Sequence, residues 1–113
     1  MSTKYFNRKT IYKGKIYDSK KEAKRAYELD MMQRAGLIHN LERQKSFELQ
    51  PSFKLNGKTI RAITYIADFV YTKNGQVIVE DVKGSKKTLT EVYRIKKKLF
   101  LYRYPQYIFI EFI

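Results

Sequence analysis

The segment from Ile66 to Gly84 constrains the fold more than any other part of the chain, because it has the pattern of two adjacent strands. Both halves are rich in apolar and β-branched residues, and Asn74-Gly75 between them is a pair that two-residue hairpin turns favour. Acidic residues interrupt both strands, although burying an unpaired carboxylate is costly. They are Asp68 in the first strand, and Glu80 and Asp81 in the second.

The positions of these acids predict a metal site. Successive side chains of a strand alternate between its two faces, so Asp81 and Lys83 point to one side and Glu80 to the other. Pairing within the hairpin brings Asp68 close to the first two. Two carboxylates beside a lysine are typical of a divalent-metal site for hydrolysis. An edge carboxylate with a solvated lysine is the purely structural alternative.

Composition limits the classes of protein that the chain can belong to. Its 113 residues, 43% of them hydrophobic, predict one globular domain at 10–113 after a basic N-terminal arm at 1–9. The absence of cysteine excludes disulfides and thiolate chemistry, and the single histidine, His39, excludes zinc sites and catalytic triads that need more partners. No apolar run reaches the roughly 18 residues of a membrane span. We expect a cytoplasmic protein that has no membrane partner.

The net charge of +13 is concentrated in two blocks. Residues 4–25 hold nine basic and two acidic residues, and residues 83–103 hold eight basic and one acidic. The segment between them, residues 26–82, has seven of each sign. Two basic blocks on either side of the predicted metal site suit a protein that binds a polyanion such as DNA.

Capping and periodicity predict the remaining elements. Ser19 and Glu22 form a capping box that opens a first helix, which ends near Gly36. Glu22 also lies at the edge of the inner face of this helix. Thr88 and Glu91 repeat the capping box and open a second helix. Its apolar stripe is predicted to consist of Val92, Ile95, Leu99 and Tyr102.

Strands are predicted at 45–55, 59–71, 76–83 and 106–113, with a second tight turn at Asn56-Gly57 and a small hairpin that turns at Gly14. In the strand at 59–71, Ile66 and Val70 are predicted on one face, and Ala67 and Phe69 on the other. A sheet that is apolar on both faces needs a cover on each side. We therefore predict an α/β protein with the order αβββαβ, in which a central mixed sheet has helices on both faces.

This succession resembles the core of the PD-(D/E)XK nuclease superfamily, also called restriction-endonuclease-like. Asp68 stands at its first acidic position, and Asp81-Val82-Lys83 matches its (D/E)XK element. Tyr17-Asp18-Ser19-Lys20-Lys21-Glu22-Ala23 resembles the helical element whose glutamate reaches the metal in many members. The run from Ala62 to Phe69 and the Glu80–Gly84 run resemble small phage-encoded nucleases, some described as Holliday-junction resolvases. Ala67 replaces the usual proline before the first aspartate.

The resemblance implies a Mg²⁺-dependent DNA endonuclease that is selective for branched DNA and acts in phage recombination or replication, with Mn²⁺ able to substitute. Such a resolvase needs two active sites and hence a homodimer, in the cytoplasm of a bacterial host. A non-catalytic nucleic-acid-binding module and a small basic assembly protein are the alternatives. Glu22 is either a metal ligand or only a helix cap. The implied metal ligands are Glu22, Asp68, Asp81 and the backbone carbonyl of Val82, with Lys83 as a further catalytic residue. The predicted nucleic-acid-binding residues are Lys20, Lys21, Lys86, Lys87, Arg94, Lys97 and Lys98.

Overall fold

The computed structural model describes residues 10–84 and 89–113. The predicted arm at 1–9 and the predicted DNA-binding residues Lys86 and Lys87 lie outside these residues. No helix in the described part is long and apolar enough to cross a membrane. The helices are α1 (Lys20–Arg34) and α2 (Glu91–Arg103). The strands are β1 (Thr10–Tyr12), β2 (Lys15–Tyr17), β3 (His39–Gln50), β4 (Phe53–Leu55), β5 (Lys58–Ile60), β6 (Ile63–Lys73), β7 (Gln76–Val82) and β8 (Ile108–Phe112).

A four-stranded sheet in the order β3-β6-β7-β8 forms the centre of the molecule. Its first three strands are antiparallel, and β8 is parallel to β7. One hydrophobic cluster joins α1 to one face, around Leu29 and Phe69, and a second joins α2 to the other, around Tyr93 and Phe100. This confirms the predicted class, a mixed α and β fold with a central mixed sheet and two helices.

The tight turns form where the sequence predicts them. Asn74 and Gly75 both adopt positive φ, 51° and 77°, as a type I′ hairpin turn requires. Asn56-Gly57 does the same between β4 and β5. At the start of α1 the Ser19 side chain accepts a hydrogen bond from the Glu22 amide at 3.1 Å, so the serine half of the predicted capping box is present.

Two strand predictions are wrong in their bounds. The predicted strand at 45–55 is a longer β3 that already begins at His39, followed after Pro51 by a separate β4. Proline has no amide hydrogen to donate to a ladder, which explains the break. The predicted strand at 59–71 is likewise divided into β5 and β6. The strands β4 and β5 pair with each other as a two-stranded sheet of their own.

The second helix begins later than predicted and turns another side to the sheet. Its N-cap is Thr90, whose hydroxyl accepts from the Tyr93 amide at 3.0 Å, and not Thr88. Tyr93 and Phe100 are its buried residues. The predicted stripe of Val92, Ile95, Leu99 and Tyr102 is exposed. Periodicity identified one apolar side of the helix, but the side that carries Tyr93 and Phe100 packs on the sheet.

The predicted alternation along β6 is also wrong. Tyr65, Ala67 and Val70 belong to the cluster under α2, whereas Phe69 and Tyr71 belong to the cluster under α1. Regular alternation cannot place residues 67 and 70 on one side. The strand therefore exchanges its two faces at residues 68–69.

The neighbouring strand β3 exchanges faces at the same level. Leu41 packs on the α1 side, whereas Phe47 and Leu49 pack on the α2 side. Between them, the backbone of Gln44 has a φ of 54°, in the left-handed region that residues other than glycine rarely adopt. Because Arg43 pairs with Phe69 and Lys45 with Ala67, Gln44 lies opposite residue 68. The paired irregularity places Asp68 at the point where both strands change face.

Candidate functional site

The two aspartates lie where β6 and β7 separate. The ladder between these strands ends at the pair Phe69 and Glu80, and the next residues in register are Asp68 and Asp81. In place of a backbone partner, the Val82 amide donates to the Asp68 carboxylate at 2.8 Å. The fork between the strands thus leaves two carboxylates facing the same space.

Gln44 connects this fork to the first helix. Its side-chain amide nitrogen donates to Asp68 at 3.3 Å and to Glu22 at 3.2 Å. Glu22 is buried on the inner side of α1, as its predicted position at the edge of that face suggests. One amide therefore holds together two of the predicted site carboxylates.

The structure separates the two roles considered for Glu22. Its backbone amide serves the Ser19 cap, while its carboxylate contacts Gln44 and lies 3.8 Å from the Arg43 guanidinium. Burial raises the pKa of Glu22, and the negative charge of Asp18 adds to the effect. The cap leaves the side chain directed into the acidic cluster.

Lys83 lies beside Asp81, with their charged atoms 3.1 Å apart. The ammonium also lies 3.9 Å from the centre of the Tyr93 ring, a cation–π contact that fixes its position. On its other oxygen, Asp81 accepts a hydrogen bond from the Tyr65 hydroxyl. Burial, followed by the charge of Asp81, raises the pKa of Tyr65, so this phenol remains a donor.

The acidic cluster carries more negative charge than its neighbours neutralise. Burial raises the pKa of Asp68 to about 7, and the nearby charge of Asp81 contributes next. Like charges at short range disfavour the ionised form, and a bound cation would relieve this repulsion. The donors are carboxylate oxygens, which suit a hard cation such as Mg²⁺. Within residues 10–84 and 89–113, no group of three or more His, Asp or Glu side chains already has the geometry to hold a metal ion.

These residues line an open cleft of about 520 Å³ between α1, the fork and the start of α2. The backbone of Val82 borders it, as does Lys96 of α2. Such a cleft is wide enough for a phosphodiester to approach the carboxylates. The cleft is lined by Asp18, Ser19, Glu22, Tyr65, Ile66, Asp68, Asp81, Val82, Lys83, Gly84, Thr90, Val92, Tyr93 and Lys96.

The predicted DNA-binding residues occupy different environments. Lys20 is exposed at the start of α1, and Lys21 beside it lies 5.8 Å from the Phe112 ring. Arg94 and Lys98 are exposed on α2. Lys97 instead forms an ion pair with Glu111 at 3.1 Å, so part of its charge is already neutralised.

Three residues of the site were missed from the sequence: Gln44, Tyr65 and Lys96. Gln44 depends on a left-handed backbone that no local pattern indicates. Tyr65 was named only as part of the run from Ala62 to Phe69, and its hydroxyl reaches Asp81 across the region where β6 and β7 separate. Lys96 was grouped with the other lysines of α2. Lys96 lies one helical turn after Val92, which also lines the cleft, so both residues lie on the same side of α2.

Comparison with known proteins adds a family but no activity. No curated protein matches the chain, and no solved structure matches it. One family model, described as "Protein of unknown function (DUF1064)", matches residues 2–111. The chain belongs to the DUF1064 family.

Proposed function

We propose that this protein is a metal-dependent endodeoxyribonuclease of the PD-(D/E)XK type. The observation that carries the proposal is the convergence of Glu22, Asp68, Asp81 and Lys83 on one cleft at the fork between two strands. These residues come from α1, β6, β7 and the position that directly follows β7. The succession of α1, β3, β6, β7, α2 and β8 supports a restriction-endonuclease-like core.

The carboxylates of Asp68, Asp81 and Glu22, with the backbone carbonyl of Val82, would hold one or two Mg²⁺ ions. When bound, the metal supplies an activated water and a Lewis acid for the phosphate oxygens. Water attacks phosphorus and loses a proton to solvent, the bond from phosphorus to the leaving sugar oxygen breaks, and that oxygen takes up a proton from solvent. Mn²⁺, which has similar oxygen preferences, would substitute.

The side chains around the carboxylates fix the geometry of the reaction. Lys83, held between Asp81 and the Tyr93 ring, stabilises the negative charge that develops on the phosphate oxygens. Tyr65 orients Asp81 by its hydrogen bond. Gln44 donates to both Asp68 and Glu22 and so keeps these two carboxylates in place. Such preorganisation is where most enzymatic stabilisation of charge originates.

The substrate proposed is branched DNA, in phage recombination or replication in the cytoplasm of a bacterial host. Lys20, Lys21, Arg94 and Lys98 would contact phosphates, which fixes the position of DNA but carries no sequence information. A protein that reads the backbone alone selects shape. Paired cuts across a four-way junction require two copies of the site, so the proposal includes a homodimer.

Cleavage of a labelled four-way junction, beside a linear duplex of the same sequence, tests this function. We expect paired symmetric nicks in the junction with Mg²⁺, none with EDTA, and at least a 100-fold loss in Asp81→Asn, the size typical for removing one charge-stabilising group. Glu48→Gln, an exposed carboxylate on β3, is the matched control and should cut like the wild type.

Equal cutting of both substrates would retain the nuclease and remove the junction selectivity. A folded wild type that binds DNA without cutting it under any divalent metal would overturn the catalytic proposal. The alternative is then the non-catalytic nucleic-acid-binding module, which the net charge of +13 supports. If DNA binding is absent as well, a basic assembly protein remains.

A further inference from the structure

The outer side of α2 exposes a row of large apolar side chains. Val92 is 63% exposed, Ile95 58%, Leu99 37% and Tyr102 83%, although the same helix buries Tyr93 and Phe100 on its opposite side. Together these side chains expose a patch on the order of 400 Å², which is the size of the largest apolar patch on a typical monomer, and such patches are often functional. The DNA-cleavage proposal assigns no role to this row.

The spacing of the row is the same in both directions along the helix. Its intervals are three, four and three residues, so two copies of α2 packed antiparallel about a two-fold axis match each other. Val92 of one copy then meets Tyr102 of the other, and Ile95 meets Leu99. This self-complementarity favours a second copy of the chain as the occupant of the patch.

We propose that a second copy of this chain covers the row, through antiparallel pairing of the two α2 helices. The interface borders the candidate active cleft, because Val92 and Lys96 also line that cleft. The inference specifies the surface of the homodimer proposed above. It rests on the exposed row and not on nuclease activity.

Charges on the two flanks of the row shape the association. Glu91 and Lys98, two helical turns apart, lie on one flank, where the antiparallel register brings Lys98 of one copy nearest to Lys98 of the other. Lys96 and Arg103 lie on the other flank, where like charges meet. Since each chain also carries +13 overall, salt that screens repulsion should favour the dimer.

The size of the patch predicts a weak dimer. Stable complexes bury about 800 Å² per partner, roughly twice the area available here. Sedimentation velocity without nucleic acid, over a wide range of concentration and at two salt levels, should show the mass rising from 13.6 kDa toward twice that value. Ile95→Glu should remain monomeric throughout.

Leu101→Glu is the control on the same helix, because Leu101 is 44% exposed but lies outside the row. It should associate like the wild type. A wild type that is monomeric at every concentration would overturn the proposal, as would equal loss of association in both variants. Cleavage plays no part in this measurement, so its failure and that of the nuclease proposal are distinguishable.

Cysteine cross-linking tests the antiparallel register, since the chain has no cysteine of its own. Mixed Val92→Cys and Tyr102→Cys proteins should form a disulfide between them. Val92→Cys alone should not, because its two copies would lie about 15 Å apart along the helix axis, beyond disulfide reach. The reverse result would indicate parallel pairing and contradict the proposal.

Discussion

Glu80 and Asp81 are neighbours on one strand, yet their environments are opposite. Glu80 is fully buried under α1 and accepts hydrogen bonds from two nitrogens of Arg25, at 2.5 and 3.0 Å, and from the Tyr71 hydroxyl at 2.7 Å. Asp81 faces the cleft on the other side, beside Asp68 and a single lysine.

The side with Glu80 is a closed network. The Arg25 guanidinium that neutralises Glu80 also donates to Glu28 at 3.1 Å and stacks 4.1 Å from the centre of the Phe112 ring. Hydrogen bonding to Glu80 raises the pKa of Arg25, and burial with the Glu80 bond raises that of Tyr71. Every strong donor has an acceptor, so this side contributes to the stability of the fold.

The side with Asp81 gathers carboxylates and lacks comparable neutralisation. Like charges held together cost folding free energy, and proteins retain such arrangements where chemistry needs them. In the proposed function, these adjacent residues of the same chemical type therefore divide between structure and chemistry. The division follows from the faces to which the strand directs them.

The largest loss of stability is expected when the hydrogen-bond network around Glu80 is disrupted. Arg25→Ala leaves Glu80 buried without its partner, and we expect a loss of about 3–5 kcal/mol in the free energy of unfolding. Urea denaturation measures this loss. Lys24→Ala, the exposed neighbour on α1, should change stability little. A loss no larger than that of Lys24→Ala would contradict the structural role assigned to the Arg25–Glu80 pair.

The second prediction concerns the pH dependence of the free energy of unfolding, which arises from the side with Asp81. The folded-state pKa of Asp68, about 7, lies above its ordinary value, so the folded state binds this proton more tightly than the unfolded state. The stability that the folded state gains by binding this proton is therefore present below about pH 4 and is lost as the pH rises to 7. Because solvent screens part of the repulsion, we expect a decline of about 1–2 kcal/mol.

Urea denaturation of wild type and Asp68→Asn at pH 5 and pH 8 measures this difference. The wild type should lose stability relative to the variant at the higher pH. Added Mg²⁺ should restore it in the wild type only, because a ligand stabilises the state that binds it. Parallel pH profiles of the two proteins would refute the acidic cluster as a source of destabilisation.

The smallest effect concerns Gln44. Gln44→Ala removes the amide between Glu22 and Asp68 and keeps the left-handed backbone, so we expect a loss of about 1 kcal/mol. Gln44→Gly removes the same amide but relieves the backbone strain, which should return much of that loss. Thermal unfolding of the two variants compares them. If glycine is no better than alanine, the left-handed backbone carries no strain.

The sequence predicted the local structure of the chain better than the orientation of its elements. Asn-Gly pairs and the Ser19 cap depend on a few adjacent residues, and they were predicted correctly. The face that α2 turns to the sheet depends on competition between two apolar sides, one with Val92 and one with Phe100. Periodicity detects both sides but does not rank them.

The same limit applies to the site. Asp68 and Asp81 could be selected because acids are unusual in apolar strands, Lys83 because it alternates with Asp81, and Glu22 because its helix resembles a nuclease element. Gln44 could not, since its role follows from a face change shared by two strands distant in sequence. The fork itself was also beyond prediction. Its position depends on where the pairing of β6 and β7 ends.

The hairpin of β4 and β5 is a region in which the chain is free to vary. Gln50 and Ile63 pair at its base, and residues 51–63 are exposed. The pairing of β3 with β6 thus ends at Gln50 and Ile63, and the register of the main sheet does not depend on the hairpin that follows. Changes of length or sequence there leave the folding core untouched. In evolutionary terms, selection can alter this hairpin independently of the rest of the chain.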